Sequence, residues 1–247
     1  MCASAALASL AACGSAEHTA PKVSVADIPA PARGALQIGP PIAVRADRHA
    51  TQWAPLRRAA IARTAPSTGA RAVVRLPART PEDTTNLVVV LGRTRDARGG
   101  LWIHARLPDA ETGWVSRADL GGYEIVRTRL IVDRARLTLT LLRDGKAVFH
   151  APVGIGAAGS PTPAGSYFIR NRLTRYASPF YGPIAFGTSA QSPTLTDWPA
   201  GGFVGIHGTN EPNLIPGRVS HGCIRLRNAD IVRLARLLPV GTPLTIV

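Results

Sequence analysis

Lysine is almost missing from this chain: of its 29 basic residues only Lys22 and Lys146 are lysines. That scarcity excludes a serine nucleophile activated by a lysine three residues on, because Thr19 and Arg143 stand at that spacing. No His-Glu-x-x-His helix and no close pair of cysteines occurs, so a metal held by His207, His221 and Cys223 would need a fourth ligand from a distant loop. The three cysteines, Cys2, Cys13 and Cys223, form no disulfide framework. There is no internal repeat and no basic run interleaved with aromatics. The arginines scatter singly, as at Arg93, Arg95, Arg98, Arg127, Arg129, Arg134 and Arg136, which speaks against a nucleic-acid groove.

What is present is a globular composition of 45% apolar residues with 21 Pro and 24 Gly, which favours many turns and a mainly β fold. At 247 residues the chain holds one or two domains. A formal charge of +14 suits anionic partners in general, whether lipid headgroups or wall polymers. The preference for arginine over lysine also follows from a GC-rich genome without any selection for function.

Residues 1–13 read MCASAALASLAAC, an apolar run too short to span a bilayer. Its end, Leu10-Ala11-Ala12-Cys13, resembles a bacterial lipobox, which implies lipid attachment at Cys13 and a place on the outer face of a membrane. No Lys or Arg precedes the run, unlike the usual basic start of a secretory leader. Residues 14–47, rich in Ala, Pro and Ser, read as a tether.

Two folded segments follow. In 48–122, short apolar stretches at 59–62, 72–76, 87–91, 101–105 and 113–115 alternate with turn residues and suggest a small barrel. The run VVVLGRTRDARGGLWIHARLP with TGWVSRADL resembles the bacterial SH3-like domain. Trp102 and Trp114 read as core rather than as a binding surface. In 123–247, strands are expected at 130–132, 137–142 and 147–153, the last two joined at Asp144-Gly145 as a meander hairpin. A strand at 166–173 leads into 174–202, read as a long lid loop carrying Tyr176, Phe180, Tyr181, Phe186 and Trp198 as groove candidates. Asn228 is expected to cap a helix whose apolar face is Ile231, Leu234, Ala235 and Leu238, stopped by Pro239 and Gly241, before a closing strand at 244–247.

Chemistry concentrates in 205–227, GIHGTNEPNLIPGRVSHGCIRLR. A cysteine attacks a carbonyl as thiolate, so it needs a base nearby and amide N–H groups aimed at the developing oxyanion. His207, ending a strand at 203–206, supplies a base. Gly222 permits a tight turn that offers the Gly222 and Cys223 N–H groups as oxyanion donors.

The stretch 127–247, with its HG(T)…SHGC(I/V)R motif, resembles the L,D-transpeptidase catalytic domain, also called the YkuD domain. The resemblance implies Cys223 as nucleophile, His207 as proton acceptor and donor, and His221 as a supporting residue. Ser220, Gly222 and Arg225 match the remaining motif positions, and Gly208, Ser220, Arg225 and Tyr181 are the expected substrate contacts. Arg225 suits either a stem-peptide carboxylate or the bridging of loop carbonyls. Some family members carry a Ser after the upstream His to orient the base. Here Gly208 stands in its place, so a backbone carbonyl must do that work. The implied fold is a small SH3-like barrel followed by a β-rich catalytic domain with a short C-terminal helix. The implied activity is 3→3 cross-linking of peptidoglycan stem peptides through a thioester on Cys223, in an exported, monomeric protein with no cofactor, no metal and no nucleic-acid partner. An L,D-carboxypeptidase using water as acceptor, and an inert wall-binding lipoprotein, are the alternatives.

Overall fold

In the first folded segment the apolar stretches of the sequence become strands, with buried residues alternating clearly in β2 and β6 and only Leu76 buried in β3. β1 (Thr51–Pro55), β2 (Ala60–Arg63), β3 (Ala72–Leu76), β4 (Leu87–Arg95), β5 (Leu101–Arg106), β6 (Thr112–Ser116) and β7 (Glu124–Val126) form one sheet in the order β3-β2-β6-β5-β4-β1-β7. β1 and β7 add a strand at either end of the chain segment to the five read from sequence. The computed structural model describes residues 47–109, 111–174, 178–192 and 202–247. The leader with Cys13, most of the tether, Tyr176 and Trp198 lie outside the described residues. Among the described residues no helix is long and apolar enough to cross a membrane. Trp102 is buried and donates its indole N–H to Asp96 at 2.8 Å, whereas Trp114 is half-buried and stacks on His104 with ring centroids 4.9 Å apart.

The second sheet has ten strands: β8 (Thr128–Asp133), β9 (Thr138–Arg143), β10 (Lys146–Pro152), β11 (Gly154–Gly156), β12 (Gly165–Leu173), β13 (Ala185–Gln191), β14 (Phe203–His207), β15 (Gly217–Ser220), β16 (Ile224–Arg225) and β17 (Pro243–Ile246), in the order β10-β9-β8-β17-β12-β13-β14-β16-β11-β15. The expected meander is β8-β9-β10. Asp144 and Gly145 turn its last hairpin at φ 50° and 79°, the left-handed pair such a tight turn requires. The closing strand β17 inserts parallel to β8 and antiparallel to β12.

Two sequence expectations are corrected here. The stretch 174–202 is no continuous lid: β13 runs through it, pairing with β12 on one side and β14 on the other. Its Gly, Ser, Thr and Ala content hid a strand that is buried from Ala185 to Ala190. Phe186 is therefore core, fully buried against Ile206, Ile224 and the helix, and lines no groove. Truncating it should cost about 3–5 kcal/mol, the usual range for emptying a buried Phe site; urea melts of Phe186→Ala against wild type measure it.

The second correction concerns Asn228. The one α-helix among the described residues, α1 (Asn228–Ala235), starts with Asn228 inside it and Arg227 at the cap position, without a side-chain cap bond. Asn228 Oδ1 instead accepts the Thr209 N–H at 2.9 Å, so the side chain ties the helix to the loop after β14. Ile231, Leu234, Ala235 and, just past the helix, Leu238 do bury against the sheet as expected.

The two sheets meet through an apolar seam in which Leu87 and Val89 of the first contact Phe168 of the second, with Trp53 and Val240 packed alongside. Arg106 donates to the Ser166 carbonyl at 3.0 Å across the same seam.

Candidate functional site

Parallel pairing of β14 with β16 brings the two halves of the motif together: Ile206 lies opposite Ile224 and His207 opposite Arg225. One step back along both chains, Gly205 lies beside Cys223, and its N–H donates to the sulfur at 3.3 Å. Gly205 and His207 are two residues apart on a strand and so share a face. The imidazole and the thiol thus sit in adjacent rows. Cys223, 5% exposed, packs with Ala185, Leu173, Tyr181 and Phe203.

His207 is 2% exposed. Burial, with a smaller contribution from the positive charge of Arg225, lowers its pKa to about 4, partly opposed by a hydrogen bond to Gly208. The ring is therefore neutral at pH 7. Nδ1 lies 2.6 Å from the Gly208 carbonyl. A carbonyl can only accept, so Nδ1 carries the proton and Nε2 keeps its lone pair. Tyr181 meets the imidazole edge-on, with centroids 4.7 Å apart and planes at 79°. These contacts fix both the tautomer and the tilt of a base.

The departure from a Ser at position 208 has a steric cause. A Cβ added to Gly208 would lie 2.2 Å from Asn228 Oδ1, and one on Gly182 would lie 2.3 Å from the same atom. Asn228 already holds the Thr209 amide, and the Gly208 backbone carbonyl is what meets His207 Nδ1.

The turn before the thiol is locked from inside. Gly222 has φ 119°, a conformation other residues rarely adopt. Ser220 Oγ donates to the Cys223 carbonyl at 2.6 Å and accepts the Gly222 N–H at 3.1 Å. Thr162, 1% exposed, donates to the Gly222 carbonyl at 2.8 Å while accepting the Gly156 N–H at 2.9 Å. Ser220 is a buried clamp of the turn, its hydroxyl engaged on both sides. The Gly222 N–H is turned back on Ser220 instead of facing an oxyanion. Of the expected donor pair, the Cys223 amide is the other member.

A cavity of about 260 Å³ opens over these groups, lined by Phe180, Tyr181, His207, Ser220, His221, Cys223 and Arg225. Phe180 is 62% exposed and His221 lies exposed at the rim. Among the described residues Arg225 bonds no loop carbonyl. Its Nη1 lies 3.1 Å from Glu211 Oε2, and its buried Nε has no hydrogen-bond partner. Arg227 donates to the Ile215 carbonyl. Among the described residues no three His, Cys, Asp or Glu side chains converge as metal ligands.

The model of the L,D-transpeptidase catalytic domain, YkuD, matches residues 127–246. A putative L,D-transpeptidase YqjB of Bacillus subtilis (strain 168) is 30% identical over 121 residues, 46% of this chain and 67% of the relative. The chain belongs to the YkuD family of L,D-transpeptidases. It is also similar to the putative L,D-transpeptidase YkuD of the same strain, 37% identical over 109 residues that cover 44% of this chain and 59% of that protein. Among solved structures, the catalytic domain of an Enterococcus faecium L,D-transpeptidase is 26% identical, covers 49% of this chain and 96% of its own, and has a TM-score of 0.37. The chain spans about half to two thirds of the length of the curated relatives it matches.

Sequence reasoning passed over Gly205, Thr162 and Glu211, and read Asn228 only as a helix cap. Gly205 acts through its backbone, which no residue type advertises. Asn228 signalled a helix start but serves a loop. Thr162 lies 61 residues before Cys223 in the chain, and only the fold makes them neighbours.

Proposed function

We propose that the protein is an exported peptidoglycan L,D-transpeptidase that works through an acyl-enzyme on Cys223. The observation that carries this reading is the neutral His207, held by the Gly208 carbonyl in the tautomer that leaves Nε2 basic, in the same cavity as a thiol that receives the Gly205 N–H. As Cys223 Sγ attacks the carbonyl of the third stem residue, an L-centre of a diamino acid, its proton passes to His207 Nε2. Negative charge collects on the carbonyl oxygen and is met by the Cys223 amide. Collapse breaks the peptide bond, and the imidazolium returns the proton to the leaving amine of D-alanine. A side-chain amine of a second stem then attacks the thioester, losing a proton to His207, and the thiol is regenerated with a 3→3 cross-link formed. Arg225, with an unpaired buried Nε at the cavity, suits a carboxylate of the stem peptide, which would compete there with Glu211.

The same reading takes the first sheet as an SH3-like domain, 48–122, that spaces or binds wall peptides. It takes Cys13 as a lipid attachment point, 14–47 as the tether, and the catalytic domain as 123–247, acting as a monomer on the outer face of a membrane or in the wall.

A carbapenem tests the chemistry, because its strained ring presents a carbonyl to the same thiol and oxyanion donor. Intact mass of a form starting at residue 14 should rise by one drug molecule, and the adduct should map to the peptide containing 220–225. Labelling of a Cys223→Ala protein, or none in a folded wild type that also releases no D-alanine, would leave the inert wall-binding reading in its place.

A further inference from the structure

The first sheet reaches the nucleophile through a short row of buried contacts. Its loop between β3 and β4 closes in a tight turn: Thr80 N–H donates to the Thr84 carbonyl at 2.8 Å, their hydroxyls lie 2.8 Å apart, and Asp83 has φ 57°. The turn presents Glu82 and Thr84 to β12. Asn171, 2% exposed, donates through Nδ2 to Glu82 Oε2 at 3.2 Å and to Thr84 Oγ1 at 3.1 Å. Its Oδ1 accepts the Gly187 N–H at 3.0 Å. Gly187 is the β13 partner of Gly205, and Gly205 donates to Cys223 Sγ.

The ladder alone fixes this row poorly. The β12–β13 register shifts between Ile169 and Asn171, and the β13–β14 register shifts beyond Gly187. Where both neighbours carry irregularities, backbone pairing leaves strand position under-determined, and a side-chain bond decides it. A Cβ on Gly187 would lie 2.3 Å from Asn171 Oδ1, so the amide fits against bare backbone. A parallel contact runs beside it. Arg170, 2% exposed, pairs with Glu82 at 3.4 Å and lies 3.7 Å over the ring of Phe203, which packs in the Cys223 cluster. Its Nε and Nη1 are buried without hydrogen bonds, so the Glu82 charge and the ring face carry much of its compensation.

We infer that the 80–84 turn of the first sheet is a positioning element of the active site, with Glu82 setting, through Asn171 and Gly187, the strand whose Gly205 N–H holds the Cys223 sulfur. This rests on Cys223 being the nucleophile. The first sheet is then part of the catalytic apparatus rather than a detachable spacer. Neither Arg170 nor Asn171, the partners of Glu82 in this row, lines the cavity over Cys223, so loss of the Glu82 charge acts on the row rather than on the cavity wall.

The test uses the full chain with Glu82→Gln, and Thr84→Val as a gentler variant that removes one anchor of Asn171. Two readouts are compared at a temperature where near-UV circular dichroism shows each protein folded. One is iodoacetamide labelling of the Cys223 peptide against pH, and the other is kcat and KM for D-alanine release. Glu82→Gln should slow labelling and lower kcat about tenfold at unchanged KM, with the labelling profile displaced to higher pH, and Thr84→Val should move both about two- to threefold the same way. A lowered melting temperature with wild-type kcat and labelling profile would make the contact merely structural and overturn the inference. Should Glu82→Gln fail to fold, Thr84→Val decides by the same criteria. A wild type that releases no D-alanine while Glu82→Gln still alters labelling would sink the transpeptidase reading and leave the positioning role standing.

Discussion

Cys223→Ala should release no detectable D-alanine from a tetrapeptide stem, a loss of at least about four orders of magnitude, because among the described residues no second thiol lines the cavity to form the covalent intermediate. Ser220 cannot substitute, since its hydroxyl is buried and bonded to the Cys223 carbonyl and the Gly222 amide. The fold should survive. The side chain is small and sits in a cluster with Ala185, Leu173, Tyr181 and Phe203, so the main cost is the lost acceptor for the Gly205 N–H, about 1–3 kcal/mol. Cys223→Ser keeps an oxygen in that place and should melt closer to wild type, yet be nearly as inactive, because a hydroxyl beside a neutral imidazole is a far poorer nucleophile than a thiol. A coupled assay for free D-alanine, run beside thermal melts of the three proteins, separates the two effects. Wild-type release rates from Cys223→Ala would refute the acyl-enzyme route.

How far the sequence could be read depends on what each residue signals. The SHGC motif, the upstream His-Gly and the meander hairpin at Asp144-Gly145 are local patterns, and each stands where its pattern implies. Apolar alternation found β8, β9, β10, β12, β14 and β17, where Val, Leu, Ile and Phe supply it over several residues, but not the two- to four-residue strands β11, β15 and β16. It missed β13, because AFGTSAQ buries small and polar residues whose hydroxyls bond backbone, as Thr188 does to the Val204 carbonyl at 2.7 Å. Hydropathy does not register that kind of burial. Asn228 reads as a cap by residue-type habit, while the fold gives it to loop clamping. Arg170 and Glu82 lie 88 residues apart, a pairing that only the seam between the sheets creates. Position along the chain carries no trace of such contacts, and they are the ones that decide how firmly the reacting groups are held.

His207→Gln should reduce kcat/KM about 10²- to 10⁴-fold, the range for loss of a positioned general base, and should also change how stability responds to pH. In the folded protein the imidazole takes a proton only near pH 4, whereas in the unfolded chain it does so near its ordinary value of 6.5. Between those values the unfolded state binds more protons, so stability rises with pH across this window and falls as the medium is acidified through it. The difference of some two and a half units corresponds to roughly 3 kcal/mol at full extent, lost progressively below about pH 6.5 and complete near pH 4. Gln cannot titrate, so the variant should lack this component. Urea melts at pH 7.5 and pH 4.5 should show wild type losing more stability than His207→Gln, by about 2–3 kcal/mol. The acid limb of kcat/KM due to His207 should correspondingly lie near pH 4, well below that of an exposed histidine. Equal losses of stability in the two proteins would mean that burial does not lower the His207 pKa, whereas a smaller loss in wild type would mean that the ring holds its proton more tightly in the fold, and the base would then have to be sought elsewhere in the cavity.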